Sequence, residues 1–247
     1  MARRILAIVL VGICLLWANV GFALDKKEEW VEKTYEFKQV KTVLVQYSIP
    51  ADINLSETER LKFEDMLKAT FFKEDKKATV KYLTSEQSEE MIEKNIGVNL
   101  KELRATDNAR YLDIMQKQLP TVADAILNIN MTSLEYSTRH VPSYTEAYTD
   151  YEYQTVYEPY INSYGQHAGN VAKTIKVPVQ RYRVVPAHDV QVGNAGAELK
   201  LMTTKDQQRV WLLLDVREEE DRTPINVTQR IFKRAKDRLK KMTKSSS

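Results

Sequence analysis

Short apolar runs and amphipathic stripes follow one another along the chain, and they predict strands separated by helices. Residues 41–47 combine β-branched and apolar positions, which is typical of a strand. Ser56 with Glu59, and later Thr84 with Gln87, have the spacing of capping boxes at helix starts. Apolar positions after each box recur every three or four residues, so each predicted helix has one face for a core.

The middle of the chain predicts a further helix and a half-buried strand. An apolar stripe follows Thr106, and Pro120 is expected to close that helix. Apolar and polar positions then alternate over residues 125–131, which is the pattern of a strand with one buried face. After Met131 the apolar residues move from odd-numbered to even-numbered positions, Leu134 and Tyr136. We therefore expect a β-bulge near residues 132–133, because one extra residue reverses which face of the strand a side chain points to.

The last quarter of the chain predicts a β-hairpin followed by a helix. Two apolar strands, residues 197–203 and 209–216, flank a short polar loop. The second strand is apolar on both faces, which predicts a position inside the sheet. Gly193 and Gly196 are interpreted as a turn before this hairpin, and the final helix is expected over residues 224–242.

This order of elements indicates an α/β (α+β) fold with a single mixed β-sheet and packed helices. Strands separated by helices usually pair in parallel, whereas the terminal hairpin must be antiparallel. We expect residues 24–247 to form a single domain, since a chain of about 220 residues is long enough for one core. Residues 139–185 are expected to interrupt this domain as a long Tyr-rich β-hairpin insertion.

The insertion has the most unusual composition. Eight of the thirteen tyrosines lie in it, and Leu, Met, Phe and Trp are absent from it. The tyrosines at 151–157 and the aliphatic residues at 175–179 each alternate with polar neighbours, which predicts a hairpin with one apolar-aromatic face and one polar face. The candidate partner-binding residues are Tyr148, Tyr151, Tyr153, Tyr157, Tyr160 and Tyr164.

Three interpretations of this hairpin are open. It can extend the main sheet and pack its tyrosines there, since aromatic stripes on strands are usually core. It can present its tyrosines to a partner, because Tyr offers a large contact area at low entropic cost. It can insert into a membrane, although its alternating runs are shorter than the roughly 9–11 residues that spanning strands need.

The final helix is unusual because it is strongly basic. Residues 225–244 include eight basic side chains and one acid, together with an apolar stripe. A solvated face with cations near the helix C-terminus explains this pattern. The functional alternative is contact with an anionic lipid or polymer. The candidate residues for that contact are Arg230, Lys233, Arg234, Arg238 and Lys241.

The first 23 residues have the three zones of a secretory signal peptide. Arg3 and Arg4 precede the uncharged run 5–17, and small residues precede a cut between Ala23 and Leu24. The pattern predicts export to the periplasm or cell envelope. The alternative is a leader that is retained as a membrane anchor, since the uncharged stretch is almost long enough to span a bilayer.

Composition and charge narrow the classes of function. The 247 residues are 43% hydrophobic and 29% charged, which is typical of a globular protein. The net charge of +3 falls to +1 without the two arginines of the leader, and this near balance argues against a nucleic-acid partner. Cys14 is the only cysteine in the sequence, which excludes a disulfide scaffold.

The sequence contains no motif that assembles a catalytic or metal centre. His140, His167 and His188 are too far apart in sequence to match a helical zinc pair. The acids at 218–221 are contiguous, whereas calcium loops alternate their ligands around a glycine. We therefore expect no cofactor and no enzymatic activity, with an enzyme of unrecognised type as the alternative.

The strand phrases KTVLV, YLTSEQ and ADAILNI resemble those of exported envelope proteins of diderm Firmicutes that have a Tyr- and Thr-rich insertion. More distantly, the chain is similar to the amino-terminal domain of TolB and to the soluble domain of the curli secretion channel. The resemblance extends over most of the mature chain. It implies an accessory or assembly role in the envelope, and it supplies no catalytic residue.

These observations together predict an exported, non-catalytic interaction or assembly protein of the cell envelope. Its partner is expected to be an envelope protein or glycan that contacts the Tyr-rich hairpin. The alternative is a binding module for cell-wall glycan or another anionic polymer, because aromatic faces stack on sugars and the basic helix suits anions.

Overall fold

The computed structural model describes residues 25–73 and 79–244, and it has an α+β fold. The chain divides into two compact units. The main unit comprises the described residues up to 137 and from 191 onward, and the hairpin unit comprises residues 138–190. The predicted mixed sheet, packed helices and long hairpin are confirmed. The predicted signal peptide lies outside the described residues.

Within the described residues, eight strands form two sheets. They are β1 Lys26–Val31, β2 Thr42–Ser48, β3 Lys81–Leu83, β4 Ala125–Val141, β5 Tyr144–Ile161, β6 His167–Val185, β7 His188–Thr203 and β8 Arg209–Glu220. Six of them form one mixed sheet in the order β1-β8-β7-β4-β2-β3, and β5 pairs with β6 in a second sheet. β2 runs parallel to β3 and β4, whereas β8 runs antiparallel to β1 and β7. The strand that is apolar on both faces, β8, therefore lies inside the sheet, as predicted.

Five α-helices of the described part of the chain accompany the sheet. They are α1 Glu57–Leu67, α2 Ser85–Ile96, α3 Leu100–Thr106, α4 Asn108–Val122 and α5 Pro224–Lys244. Both predicted capping boxes are present, because each N-cap hydroxyl accepts a hydrogen bond from the backbone N–H of the third residue of its helix, and the N-cap backbone N–H donates one to the side chain of that residue. The helix predicted at residues 224–242 extends two residues further.

The helical region after α2 differs from the prediction in two respects. Two helices stand in place of one, and the Asp107 carboxylate accepts a hydrogen bond from the backbone N–H of Arg110 to begin the second. Pro120 lies inside α4 rather than at its end. Pro120 has no N–H to donate to the preceding turn, but the helix continues to Val122, and the N–H of Ala123 still donates to the carbonyl of Leu119 at 3.0 Å.

Gly193 and Gly196 lie inside β7, so their interpretation as a turn is wrong. A Cβ atom at Gly193 would stand 2.3 Å from the backbone oxygen of Arg222, and one at Gly196 would stand 2.4 Å from Thr132 Oγ1. Close approach of neighbouring chain explains both glycines. The hydroxyls of consecutive residues Thr132 and Ser133 both lie beside Gly196, which fits the expected strand irregularity because side chains of a regular strand alternate.

The core of the main unit lies where α1 and α5 cover the sheet. The Phe232 ring is 6.0 Å from that of Phe63 and 5.8 Å from that of Phe71, measured between centroids. The apolar stripe of α5 is buried in this core at Val227, Ile231, Ala235 and Leu239. No helix within residues 25–73 and 79–244 is both long enough and apolar enough to cross a bilayer.

Candidate interaction surfaces

The hairpin unit contains a ribbon in which β5 and β6 pair only with each other. Their regular register runs from Tyr144 opposite Val185 to Pro159 opposite Asn170. Because side chains alternate along a strand, odd-numbered residues of β5 share a face with even-numbered residues of β6. We call this the tyrosine face, and its residues are Thr145, Ala147, Thr149, Tyr151, Tyr153, Thr155, Tyr157, Ala172, Thr174, Lys176, Pro178, Gln180, Tyr182 and Val184.

The tyrosine face is open to solvent and almost free of charge. Tyr153, Tyr157 and Tyr182 are 73%, 69% and 68% exposed. Lys176 is the single charged residue among the face positions defined above, and its ammonium lies 4.2 Å from the centroid of the Tyr151 ring. That contact spreads part of the positive charge over an aromatic ring. The face therefore offers several large aromatic side chains without the desolvation cost of ion pairs.

The opposite face of the ribbon holds most of the hairpin charges. Acids on β5 form ion pairs with bases on β6, either directly or diagonally across the ribbon, so the two strands neutralise each other. Arg181 contacts Asp150 at 3.0 Å and Glu152 at 2.6 Å, and Lys173 contacts Glu158 at 3.1 Å. Arg183 also pairs with Glu146. We call this the charged face, and its ion pairs are compatible with the observed register of the ribbon.

The expected division of the hairpin into one apolar and one polar face is wrong. Val177 lies opposite Glu152, and Ile175 lies opposite Gln154, so these two aliphatic residues of β6 lie on the charged face. Tyr151, Tyr153 and Tyr157 of β5 instead share their face with Lys176, Pro178 and other even-numbered residues of β6. Alternation within each strand is correctly predicted, but the pairing register decides which residues of the two strands share a face.

The six candidate tyrosines do not form one surface. Tyr151, Tyr153 and Tyr157 lie together on the tyrosine face, whereas Tyr148 lies on the charged face beneath the guanidinium of Arg183. Tyr160 stands at a register irregularity, and Tyr164 lies in the turn, where it is 87% exposed. Sequence reasoning missed Tyr182 and Val184 as members of the tyrosine face, and only the register reveals them.

The five candidate cations of α5 lie along one side of a groove in the main unit. Three of them pair with strand acids: Arg230 with Glu219 at 2.8 Å, Arg234 with Asp215 at 3.1 Å, and Arg238 with Glu29. Lys233 and Lys241 have no ion-pair partner within the described ranges. The structure thus brings the five predicted residues together and adds Lys27 and Arg217 from the sheet.

The pKa values of Glu29 and Asp215, two of the acids that pair with α5, are shifted in opposite directions. Burial disfavours ionisation of Glu29, but hydrogen bonds from Arg238 and from Trp211 Nε1 outweigh it and lower the pKa of Glu29. Burial is also the largest influence on Asp215, and it raises the pKa of that carboxyl despite the neighbouring Arg217. Glu29 therefore ionises more readily than Asp215 as a partner for the cations of α5.

A separate cleft of about 820 Å³ lies in the main unit beside α1, β4 and the start of α5. Its charged lining residues are Asp52, Glu59, Lys62 and Glu135. The Glu59 carboxylate accepts hydrogen bonds from the backbone N–H and the hydroxyl of Ser56. It therefore forms part of the capping box at the N-terminus of α1. Across the described part of the chain, no group of three or more His, Cys, Asp or Glu side chains is placed to hold a metal ion.

Comparison with known proteins gives distant likenesses in fold alone. No family model and no curated protein matches the chain. Among solved structures, the chain is similar to a PelC dodecamer from Paraburkholderia phytofirmans, with 8% identity, a TM-score of 0.38, and coverage of 88% of this chain and 98% of that one. It is also similar to a PDZ domain protein from Parabacteroides distasonis, with 12% identity, a TM-score of 0.28, and coverage of 90% of this chain and 36% of that one.

Proposed function

We propose that the chain is an exported, non-catalytic interaction protein of the cell envelope and that the tyrosine face binds its partner, an envelope protein. One observation carries this proposal: Tyr153, Tyr157 and Tyr182, each more than two-thirds exposed, lie along one face of the ribbon that has a single charge among its defined positions. Tyr is enriched in binding surfaces because its rigid ring buries a large area and its hydroxyl still forms hydrogen bonds.

The architecture of the hairpin unit supports a binding role. A two-stranded ribbon is at best marginally stable in water without a third strand or a packed partner. Exposed apolar and aromatic patches of this kind are typical of interaction sites. The charged face supplies the cross-strand ion pairs that hold the ribbon, which leaves the tyrosine face available for contact.

The leader supports the location in the envelope. Its basic start, uncharged run and small residues before Leu24 are the features that signal peptidases recognise. Export predicts that the purified natural protein begins at Leu24, and intact-mass spectrometry measures this directly. A natural protein that retains Met1 to Ala23 and stays in the cytosol contradicts the envelope assignment.

Photo-crosslinking in the cells that make the protein tests the contact surface. A photoreactive phenylalanine analogue at Tyr153 places the probe on the tyrosine face, and the same analogue at Gln154 places it one residue away on the charged face. Both positions are exposed, so the two probes are matched in access. We expect a discrete protein adduct at Tyr153 and a much weaker one at Gln154.

Two other results would overturn the proposal. Equal adducts at both positions indicate random collisions with abundant neighbours rather than a specific face. An adduct at Tyr153 that is sensitive to glycosidases and resistant to proteases identifies a glycan ligand, which assigns the hairpin to the alternative of a cell-wall binding module.

A further inference from the structure

The main unit has a second surface with strong chemical character, a groove of about 760 Å³ between α5 and the strands β1 and β8. Seven of its nine lining residues are cations, and the other two are Glu29 and Asp237. We call it the basic groove. The cations used below are Lys27, Arg230, Lys233, Arg234, Arg238 and Lys241.

Three strand carboxylates only partly neutralise this surface. Each of them contacts two cations: Glu29 contacts Lys27 and Arg238, Asp215 contacts Arg217 and Arg234, and Glu219 contacts Arg222 and Arg230. Each such trio keeps a net positive charge. Lys233 and Lys241 add two more positive charges, neither of them in an ion pair within residues 25–73 and 79–244, and Asp237, one helical turn from each, offsets one of these charges. The groove therefore carries a surplus of cations that intramolecular pairing leaves unbalanced.

The surplus is arranged in a line. Arg230, Arg234, Arg238 and Lys241 follow one another at spacings of three or four residues, so they lie on one side of α5. The row extends about 16 Å along the helix axis at 1.5 Å per residue. Ion pairs with strand acids already fix the positions of Arg230, Arg234 and Arg238. Binding an anion therefore costs less side-chain entropy than it would with free arginines.

The surroundings of this row favour one kind of anionic occupant. The apolar stripe of α5 is buried in the core, so the helix has no apolar face left to insert among lipids. The lining contains no aromatic residue, whereas single-stranded nucleic acids are bound by stacking of bases on aromatic rings. A concave row of cations fits an extended chain that carries one charge per repeating unit.

We propose that the basic groove binds a linear anionic glycan, with its carboxylates lying along the cations of α5. Arginine side chains hold carboxylates through paired hydrogen bonds, and Lys233 and Lys241 supply unpaired charges at the rim. This site is independent of the tyrosine face, since all of its residues belong to the main unit.

Binding of the purified protein to fluorescent oligogalacturonate, a linear glycan with one carboxylate per sugar, tests this proposal. We expect the affinity to fall steeply with salt, because binding releases counterions. The double variant Lys233→Gln/Lys241→Gln should weaken binding about tenfold, since two charge contacts are lost. The matched control is Lys94→Gln/Lys101→Gln, which removes the same charge from exposed lysines elsewhere in the main unit.

The same measurement separates the proposal from its rivals. Undetectable binding, or an equal loss in both double variants, overturns it. Tighter binding to anionic phosphatidylglycerol vesicles or to a single-stranded oligonucleotide, with the same dependence on Lys233 and Lys241, reassigns the groove to a membrane or to nucleic acid. The variant Tyr153→Ser should bind the glycan normally, so failure of the hairpin proposal leaves this result unaffected.

Discussion

Arg238 donates a hydrogen bond from Nε to the carboxylate of Glu29, although 209 residues separate the two in sequence. The same carboxylate accepts a hydrogen bond from Trp211 Nε1 at 2.9 Å. Glu29 thus joins the edge strand β1 to the last helix and to a fully buried tryptophan of β8. This link explains how a strand composed mainly of charged residues is held against the sheet.

Loss of the Glu29 carboxylate should destabilise the main unit. Glu29→Ala removes hydrogen bonds to one charged and one buried donor, and we expect a loss of about 1–2 kcal/mol in the free energy of unfolding. The matched control is Glu28→Ala on the same strand, because Glu28 is exposed and pairs only with Lys26, a contact worth about 0.5 kcal/mol. Urea unfolding measures both losses, and equal values would contradict the role of Glu29.

The contribution of Glu29 should depend on pH. Its pKa in the folded protein lies below the usual value of 4.5, so folding favours the ionised form. The resulting stability is complete at neutral pH and is lost as the pH falls through the folded pKa. The difference in unfolding free energy between the wild type and Glu29→Gln should therefore be larger at pH 7 than at pH 3. A difference that grows in acid would contradict this assignment.

Added methyl groups at the two glycines of β7 should have unequal effects. In Gly193→Ala the new Cβ meets backbone atoms of Arg222 and Thr223, which cannot rotate away, and we expect a loss of about 1–3 kcal/mol. In Gly196→Ala it meets the hydroxyls of Thr132 and Ser133, which can rotate, so the loss should be smaller. Thermal unfolding of both variants gives the order, and a greater loss at Gly196 would be inconsistent with it.

The turn of the hairpin should be the preferred site of proteolysis. Tyr164 is 87% exposed, and Gly165 beside it has a φ of 74°. Brief chymotrypsin treatment should cut after Tyr164 first and leave the main unit folded, because the cut crosses no strand of the six-stranded sheet. Tyr164→Ser should remove the first cut. Early cleavage within β2 or β8 would show that the main unit opens before the hairpin.

Local patterns in the sequence account for much of the fold. The capping boxes at Ser56 and Thr84 and the strand at residues 41–47 involve interactions between near neighbours, and all are present. Strand β1 was not predicted, because charged residues 26–29 resemble a solvated segment. Edge strands tolerate such residues, since charge on an open edge discourages pairing with other chains.

The candidate sites are only partly readable from the sequence. Composition identifies the tyrosines, and alternation within β5 separates Tyr148 from Tyr153, but only the register of Tyr153 opposite Lys176 places Tyr182 on the same face. In the same way, the spacing of basic residues along α5 is visible in the sequence. Their pairing with Glu29 and Asp215 depends on contacts between distant segments, which no local pattern encodes.

Hydroxyl-radical footprinting of tyrosines in isolated cell envelopes tests the central claim most directly, because it needs no knowledge of the partner. Rates of oxidation at Tyr153, Tyr157 and Tyr182 are compared between the purified protein and the envelope preparation, with exposed Tyr47 of the main unit as the internal reference. The account predicts that the three rates fall several-fold in the envelope while the rate at Tyr47 stays constant. Unchanged rates at all four tyrosines would contradict it.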